Sequence, residues 1–245
     1  MIGVVPRTPN KAFAVAAVVA VAVAVAVTSA RRWSLRWGAT DNEVKQTLPG
    51  DEVLARAGLV STRAITIQSS PAAVWPWIAQ LGQGRGGFYS YDFLENLVGC
   101  EIHSADDVLR LCQDIAVGDQ VRLHPEVSLV VGVVQPGRVL VLRGAVPIGE
   151  LTAPYDMTWA FVLRDEPGGA TRLLVRERYE YLGWWAALLV EPVELVSLVM
   201  SRGMLRGIKR RAEQARCPVP TPSLTTRDRS RHLGGHDERA RAVRD

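Results

Sequence analysis

Five segments rich in β-branched and aromatic residues are followed at once by one long amphipathic stretch, and few folds accommodate that order. Gln120 to Leu123, Leu129 to Val134, Val139 to Arg143, Met157 to Arg164 and Thr171 to Tyr181 have the length and composition of strands. Gln135-Pro136-Gly137-Arg138 and Glu166-Pro167-Gly168-Gly169 separate successive runs, and Pro-Gly pairs form tight turns. Connections this short join antiparallel neighbours. From Trp184 to Arg211 apolar residues recur at helical spacing through Leu188, Leu195, Leu198, Val199, Leu205 and Ile208. Lys209-Arg210-Arg211 then puts cations where a helix C-terminus favours them, and Pro192 marks a bend or the true start. A sheet and a helix, each apolar on one face, bury those faces against each other, which predicts an α+β fold.

The preceding segment completes the pattern. Arg63 to Gln68 alternates, with Ile65 and Ile67 on one face, as a half-buried strand does. Ser69-Ser70-Pro71 supplies an N-cap hydroxyl and a proline at the first helical position, predicting a helix over Pro71 to Leu81 with Trp75, Ile78 and Ala79 on one face. Gly82 to Gly87 is a glycine-dense loop, and Tyr91 to Val98 reads as a second short helix closed by Gly99. The predicted order is strand, two short helices, an antiparallel meander and a long C-terminal helix. A curved sheet wrapped around that helix encloses a cavity of the kind in which apolar ligands bind. Gly38 to Val60 is polar and broken by Pro49-Gly50, as a linker or strap would be.

Ahead of this domain, Ala12 to Ala30 is an uninterrupted run of Ala, Val, Phe, Thr and Ser between Lys11 and Arg31-Arg32, long enough to span a hydrocarbon core. The alternative is a cleaved secretory signal with Arg7 and Lys11 as its basic region and Thr28-Ser29-Ala30 as its exit. The anchor is preferred, because the run exceeds a usual signal core and Arg31-Arg32 makes an unusual mature start. Trp33 and Trp37 then read as interfacial anchors. The flanking charges are nearly balanced and lean towards a cytoplasmic domain behind a single span. The expected divisions are a tail at 1–11, the apolar helix at 12–30, the strap at 31–60, the folded domain at 61–216 and a disordered polar tail at 217–245.

The pI near 9.2 does not imply nucleic acid. Met1 to Arg36 carries five basic residues and no acid, and the tail from Arg216 carries seven Arg against four acids, which leaves the middle net acidic. A nucleic-acid-binding fold concentrates its basic charge on the folded domain. Three cysteines, one of them Cys217 in the tail, make no disulfide framework, and Cys100-x-x-His103 with Cys112 and His124 lacks the second close-spaced ligand pair of a zinc site. No metal or cofactor is implied.

Several motifs occur in an order that resembles a known family: Arg36-Trp37-Gly38-Ala39-Thr40, Leu48-Pro49-Gly50-Asp51, Ala73-Val74-Trp75-Pro76-Trp77, Gly82 to Asp92, Ile102-His103-Ser104-Ala105-Asp106, Arg176-Glu177-Arg178-Tyr179 and Met204 to Lys209. Together they are similar to an uncharacterised bacterial branch of the START-like helix-grip superfamily, also called SRPBCC or polyketide cyclase-dehydratase-like. The resemblance covers roughly Arg36 to Cys217 and implies a curved sheet around a long helix with an internal cavity. Members include lipid-transfer proteins, hormone-binding proteins and aromatase/cyclases, so it implies a pocket without implying one chemistry. The chain departs from the family pattern at Gln68-Ser69-Ser70, which bears on the helix cap.

Candidate residues follow from chemistry and position. Phe88, Tyr89 and Tyr91 with Trp75 and Trp77 combine aromatic surface and hydroxyls able to orient a planar or carbonyl-bearing ligand. The plainer alternative packs Phe88, Tyr91 and Leu94 against the core and leaves Asp92 and Glu95 in water. Glu177 alternates with Arg176 and Arg178, so it faces the long helix as a buried carboxylate or joins a cross-strand ion pair. No catalytic residue is assigned; in a cyclase or dehydratase the proton transfer would fall to Tyr91, His103 or Glu177, and the plainer alternative for His103, beside Ser104 and Asp106, is a loop histidine bonded to the backbone. Gly82-x-Gly84-x-x-Gly87 follows a predicted helix rather than a strand, so it reads as a tight turn and not as a dinucleotide site. The expected partner is a hydrophobic small molecule, lipid or polyketide-like, with the membrane as the second partner. The alternatives are an enzyme using the same cavity and an interaction module whose cavity is filled by side chains.

Overall fold

The computed structural model describes residues 11–97, 99–146 and 153–215. The tails expected at 1–11 and 217–245 lie, but for Lys11, outside the described residues. In chain order the elements are α1 (Lys11–Leu35), α2 (Asp41–Lys45), β1 (Leu59–Ile67), α3 (Pro71–Ala79), α4 (Asp92–Leu97), β2 (Gln120–His124), β3 (Val127–Gln135), β4 (Val139–Gly144), β5 (Tyr155–Glu166), β6 (Ala170–Tyr181) and α5 (Ala186–Gln214). The strands form one antiparallel sheet of six in the order β1-β6-β5-β4-β3-β2. Each of the five expected segments became a strand, and the terminal helix runs through Pro192 without ending.

Side chains alternate across the central strands as period-2 geometry requires. Met157, Phe161 and Leu163 of β5, Leu173 and Val175 of β6, and Leu140 and Leu142 of β4 share one core with Met204, Leu205 and Ile208 of α5. Burial of each such side chain contributes about 1.5–3 kcal/mol. From α3 the core takes Val74, Trp77 and Ile78, whereas Trp75 is only half-buried, so the helix is turned from the face expected for Trp75. The Ser70 hydroxyl makes no cap; its carbonyl instead takes the amides of Ala73 and Val74.

The opposite face of the sheet is covered as well. Ala64, Val162 and Leu174 pack there against Leu48, and the polar segment from Trp37 to Leu54 is fastened down by arginines. Arg176 donates to the carbonyls of Glu43, Val44 and Gln46 and pairs with Asp51 at 2.6 Å. Arg172 clasps Glu43 and the Gly38 carbonyl. The carbonyls at the end of the short helix α2 thus find partners inside the fold, which a helix C-terminus requires.

Only α1 is long and apolar enough, among the described residues, to cross a membrane by length and composition, a property that spans and signal sequences share. The helix continues past Ala30 to Leu35, and Ser34 is buried while Trp33 is exposed. At the other end of the molecule, α5 lies so close to the loop before α4 that a Cβ on Gly207 would meet the Tyr89 carbonyl oxygen at 2.0 Å. Gly207→Ala is expected to destabilise the fold by about 2 kcal/mol or more, because a backbone atom rather than a flexible side chain must move. Equilibrium chemical unfolding of the two proteins measures the difference.

Candidate ligand cavity

Helix α5 meets the sheet unevenly. Its C-terminal half places Met204, Leu205, Ile208 and Ala212 at 0–1% exposure, while its N-terminal half keeps Leu188, Val193, Leu195 and Val196 on the surface. The space between this raised half, α4 and the ends of β5 and β6 is a cavity of about 880 Å³. Its walls are almost wholly apolar: Tyr155, Met157 and Trp159 from β5, Leu94 and Leu97 from α4, Leu123 from β2, and Val190, Val193 and Met204 from α5. A second depression, of about 550 Å³ between Pro71, Arg138 and Asp165, divides evenly between polar and apolar surface and holds no buried charge.

One wall of the larger cavity carries an ionic cluster that spans β1, β6 and α5. Arg63, fully buried, extends from β1 between Glu177 of β6 and Glu194 of α5, with Nη2 donating to both Glu194 oxygens at 2.5 and 2.8 Å. Its Nη1 reaches Glu177 Oε1 at 3.3 Å, and its Nε donates to the Ser34 carbonyl at the end of α1. Ser197 and Ser201 donate to Glu177 from α5. Burial pushes the Glu194 carboxyl up from its ordinary value, Arg63 opposing and the Glu177 charge adding. Glu177 therefore satisfies both expectations held for it: it faces the long helix, and it is ion-paired to a neighbouring strand.

Two other polar groups line the cavity with no such support. Glu95 is 8% exposed, and its Oε2 has no hydrogen-bond partner. Burial, with Asp92 nearby, pushes its carboxyl up to about 7. The Trp159 indole N–H is likewise buried without an acceptor. Both atoms are covered by protein, so Glu95 and Trp159 border the cavity without these two atoms opening on it.

The structure separates the aromatic residues expected to form the site. Phe88 and Glu177 line the cavity. Trp77 and Tyr89 are packed edge to face in the core beside it, with Arg211 over the Tyr89 ring, and Tyr91 lies at the surface against Phe93. Trp75 is half-buried against the core. His103 is exposed, and its neighbours bond elsewhere, Ser104 to Asp92 and Asp106 to Arg211. Gly82 and Gly87 close a turn by bridging each other, and Nη2 of Arg85 donates to the carbonyls of Ala79 and Cys112. Among the described residues no three His, Cys, Asp or Glu side chains gather as a metal site would require. Glu95, which the plainer sequence reading leaves in water, lines the cavity with Glu177 and Glu194; its place one helical turn from Tyr91 gave no sign that α4 roofs a hollow.

No family model matches the chain, and no curated protein does. Among solved structures it is similar to the Zhui aromatase/cyclase from Streptomyces sp. R1128, at 14% identity over 64% of this chain and 94% of that one, with a TM-score of 0.39. It is also similar to a hypothetical protein from Helicobacter pylori, at 10% identity over 68% and 95% of the two chains, TM-score 0.43. CalU16 from Micromonospora echinospora matches at 14% identity over 63% and 84%, TM-score 0.31. At these values the similarity assigns neither family nor activity.

Arg63→Met strands two buried carboxylates and is expected to cost about 3–5 kcal/mol, most of it regained in Arg63→Met/Glu177→Leu/Glu194→Leu, as chemical unfolding reads directly. Glu95 has the opposite consequence for pH. Its folded-state value lies above its unfolded one, so burial costs nothing below about pH 4.5 and the cost grows to its full size above about 7. Glu95→Gln is therefore expected to exceed the parent in stability at pH 8 by on the order of 3 kcal/mol and to match it near pH 4. A difference that does not change with pH would count against a buried ionisable Glu95.

Proposed function

We propose that this protein is a START-like, helix-grip domain that binds a hydrophobic small molecule in its cavity and is tethered to a membrane by α1. The observation that carries this reading is the size and lining of the cavity. A sealed empty void of about 880 Å³ would cost on the order of 20 kcal/mol, more than the whole stability of a domain, so the space is either open or filled. Its volume falls within the usual range for small-molecule sites, and its apolar walls with few polar groups are what such sites present. The order of strands, short helices and terminal helix supports the same family, and so does the succession of motifs from Arg36 to Lys209. Lipid or polyketide-like molecules fit the apolar lining, in which Glu95 offers one acid to a polar group on the ligand.

A second reading is favoured by Glu95 alone. A carboxyl held near 7 in an apolar wall is poised to accept or give a proton at neutral pH, as general acid–base catalysis requires. On that reading the cyclase or dehydratase role falls to Glu95 rather than to Tyr91 or His103, which lie off the cavity, or to Glu177, whose oxygens already accept from Arg63 and two serines. Glu95→Gln would then keep ligand binding and abolish turnover.

Native mass spectrometry of the full chain, extracted from its membrane and stripped of detergent, tests the binding reading. A discrete non-detergent mass is expected on the parent protein. It is expected to be reduced in Leu123→Trp, which narrows the cavity, while the unfolding temperature of that variant stays within a few degrees. A parent protein that never carries or takes up such a mass rejects the reading.

A further inference from the structure

The end of α1 is built into the rim of the cavity. Arg31 pairs with Glu191 of α5 through Nε at 3.0 Å and Nη2 at 2.5 Å, and the Ser34 carbonyl accepts from the buried Arg63. There is no linker: the apolar helix passes directly into the folded domain at Ser34, which is 3% exposed next to Trp33 at 52%. Wherever α1 leaves a bilayer, the surface around Glu191 is held there too.

That surface is apolar and unpartnered. Leu188, Glu191, Leu195 and Val199 follow one another at three- and four-residue spacing and share a face of α5, and the three apolar members are 46–72% exposed. With a rise of about 1.5 Å per residue, Val199 lies only about 12 Å along the helix from the residue that Arg31 holds. Leu195 and Val199, with Val193 and Val196, also line the cavity, and exposed Leu97 of α4 lies across from them. The mouth of the cavity and the exposed apolar stripe are therefore one surface, pinned beside the end of the candidate span. Patches of this kind mark contact sites, and a hydrocarbon surface is the partner that the adjoining helix already occupies.

The geometry points to a cavity whose mouth sits on the lipid surface, so that the ligand is a membrane-resident amphiphile entering from the bilayer rather than from water. This rests on the binding reading and on α1 as a retained span. Arg32, exposed at the same end, suits anionic headgroups. Entry by this route keeps the apolar part of the ligand out of water throughout, whereas the opposite end of the sheet, at the β5–β6 turn, is about 35 Å from Tyr155 by strand length.

The test uses the full chain with its three cysteines replaced by alanine, reconstituted in vesicles of phosphatidylcholine with one-fifth phosphatidylglycerol. Nitroxide labels are placed singly at Leu195→Cys, at Val199→Cys and, as a distant control, at Asp165→Cys. Expected at 195 and 199 is relaxation enhancement by oxygen several-fold above that by a water-soluble nickel chelate, with the reverse at 165. Labels at 195 and 199 relaxed by the nickel chelate overturn the proposal, as does protein that stays in the aqueous phase. Shielding from both agents also overturns it, since a second copy would then cover the stripe. The bound mass separates this outcome from the binding reading itself. Nickel-accessible labels with a retained mass defeat only the membrane-facing mouth, and oxygen-accessible labels on a protein that carries no mass defeat the pocket.

Discussion

The guanidinium of Arg63 ties β1 to the end of α1, to β6 and to α5 at one point. It sits fully buried in β1, and its donors reach the end of α1 through Ser34, β6 through Glu177 and α5 through Glu194, Ser197 and Ser201. Taking a guanidinium and two carboxylates out of water costs several kcal/mol per ion, and only complete hydrogen bonding offsets it. The cluster fixes where α5 stands more than it adds to net stability. The C-terminal half of α5 is held by apolar packing against the sheet. Its N-terminal half buries only Ala186, Val190 and Leu198 among its apolar residues and is held by this ionic contact instead. Because the raised half is fixed by directional bonds, it does not collapse onto β5 and β6, and the hollow beneath it persists.

The carboxylates around the cavity consequently divide into two kinds. Glu177 is engaged by a guanidinium and by serine hydroxyls, and Glu194 is ion-paired to Arg63 through both oxygens. Glu95 stands apart on α4 with an unpartnered oxygen, where only burial and the Asp92 charge act on it. The same residue type thus serves as a structural fastener on one side of the hollow and as an unfilled polar position on the other. Geometry separates the two roles, and sequence identity does not.

That distinction explains which parts of the molecule were legible from sequence. The strands from Gln120 to Tyr181 and the terminal helix are written in local patterns, period-2 alternation, Pro-Gly turns and helical spacing, and the structure has them within a few residues. Alternation alone left Glu177 between the helix side and a cross-strand ion pair, and the structure has it in both contacts. The strap over the back of the sheet was legible only as a polar stretch, because it is held by arginine side chains on β6 bonding to its carbonyls, a contact between segments about 130 residues apart. Trp77 and Tyr89 have the composition of a ligand site, yet the close approach of Gly207 to Tyr89 draws that loop into the core, and neither residue lines the cavity. Local composition reports which residues avoid water and leaves open which hollow they border.

The balance of surface types in the cavity bears on how a ligand would be held. Burying a methylene contributes about 0.8 kcal/mol, so roughly ten methylenes supply about 8 kcal/mol, comparable to the cost of immobilising a small molecule. An apolar chain filling such a wall thus approaches binding without any hydrogen bond, and the few polar groups contribute selection more than affinity. Glu95 is the candidate for that selection, through pairing of its carboxyl with a polar group on the ligand. Because a buried carboxyl is easier to satisfy as a neutral donor or acceptor than as an ion, the pairing favours an uncharged polar group on the ligand, with the proton on Glu95 retained.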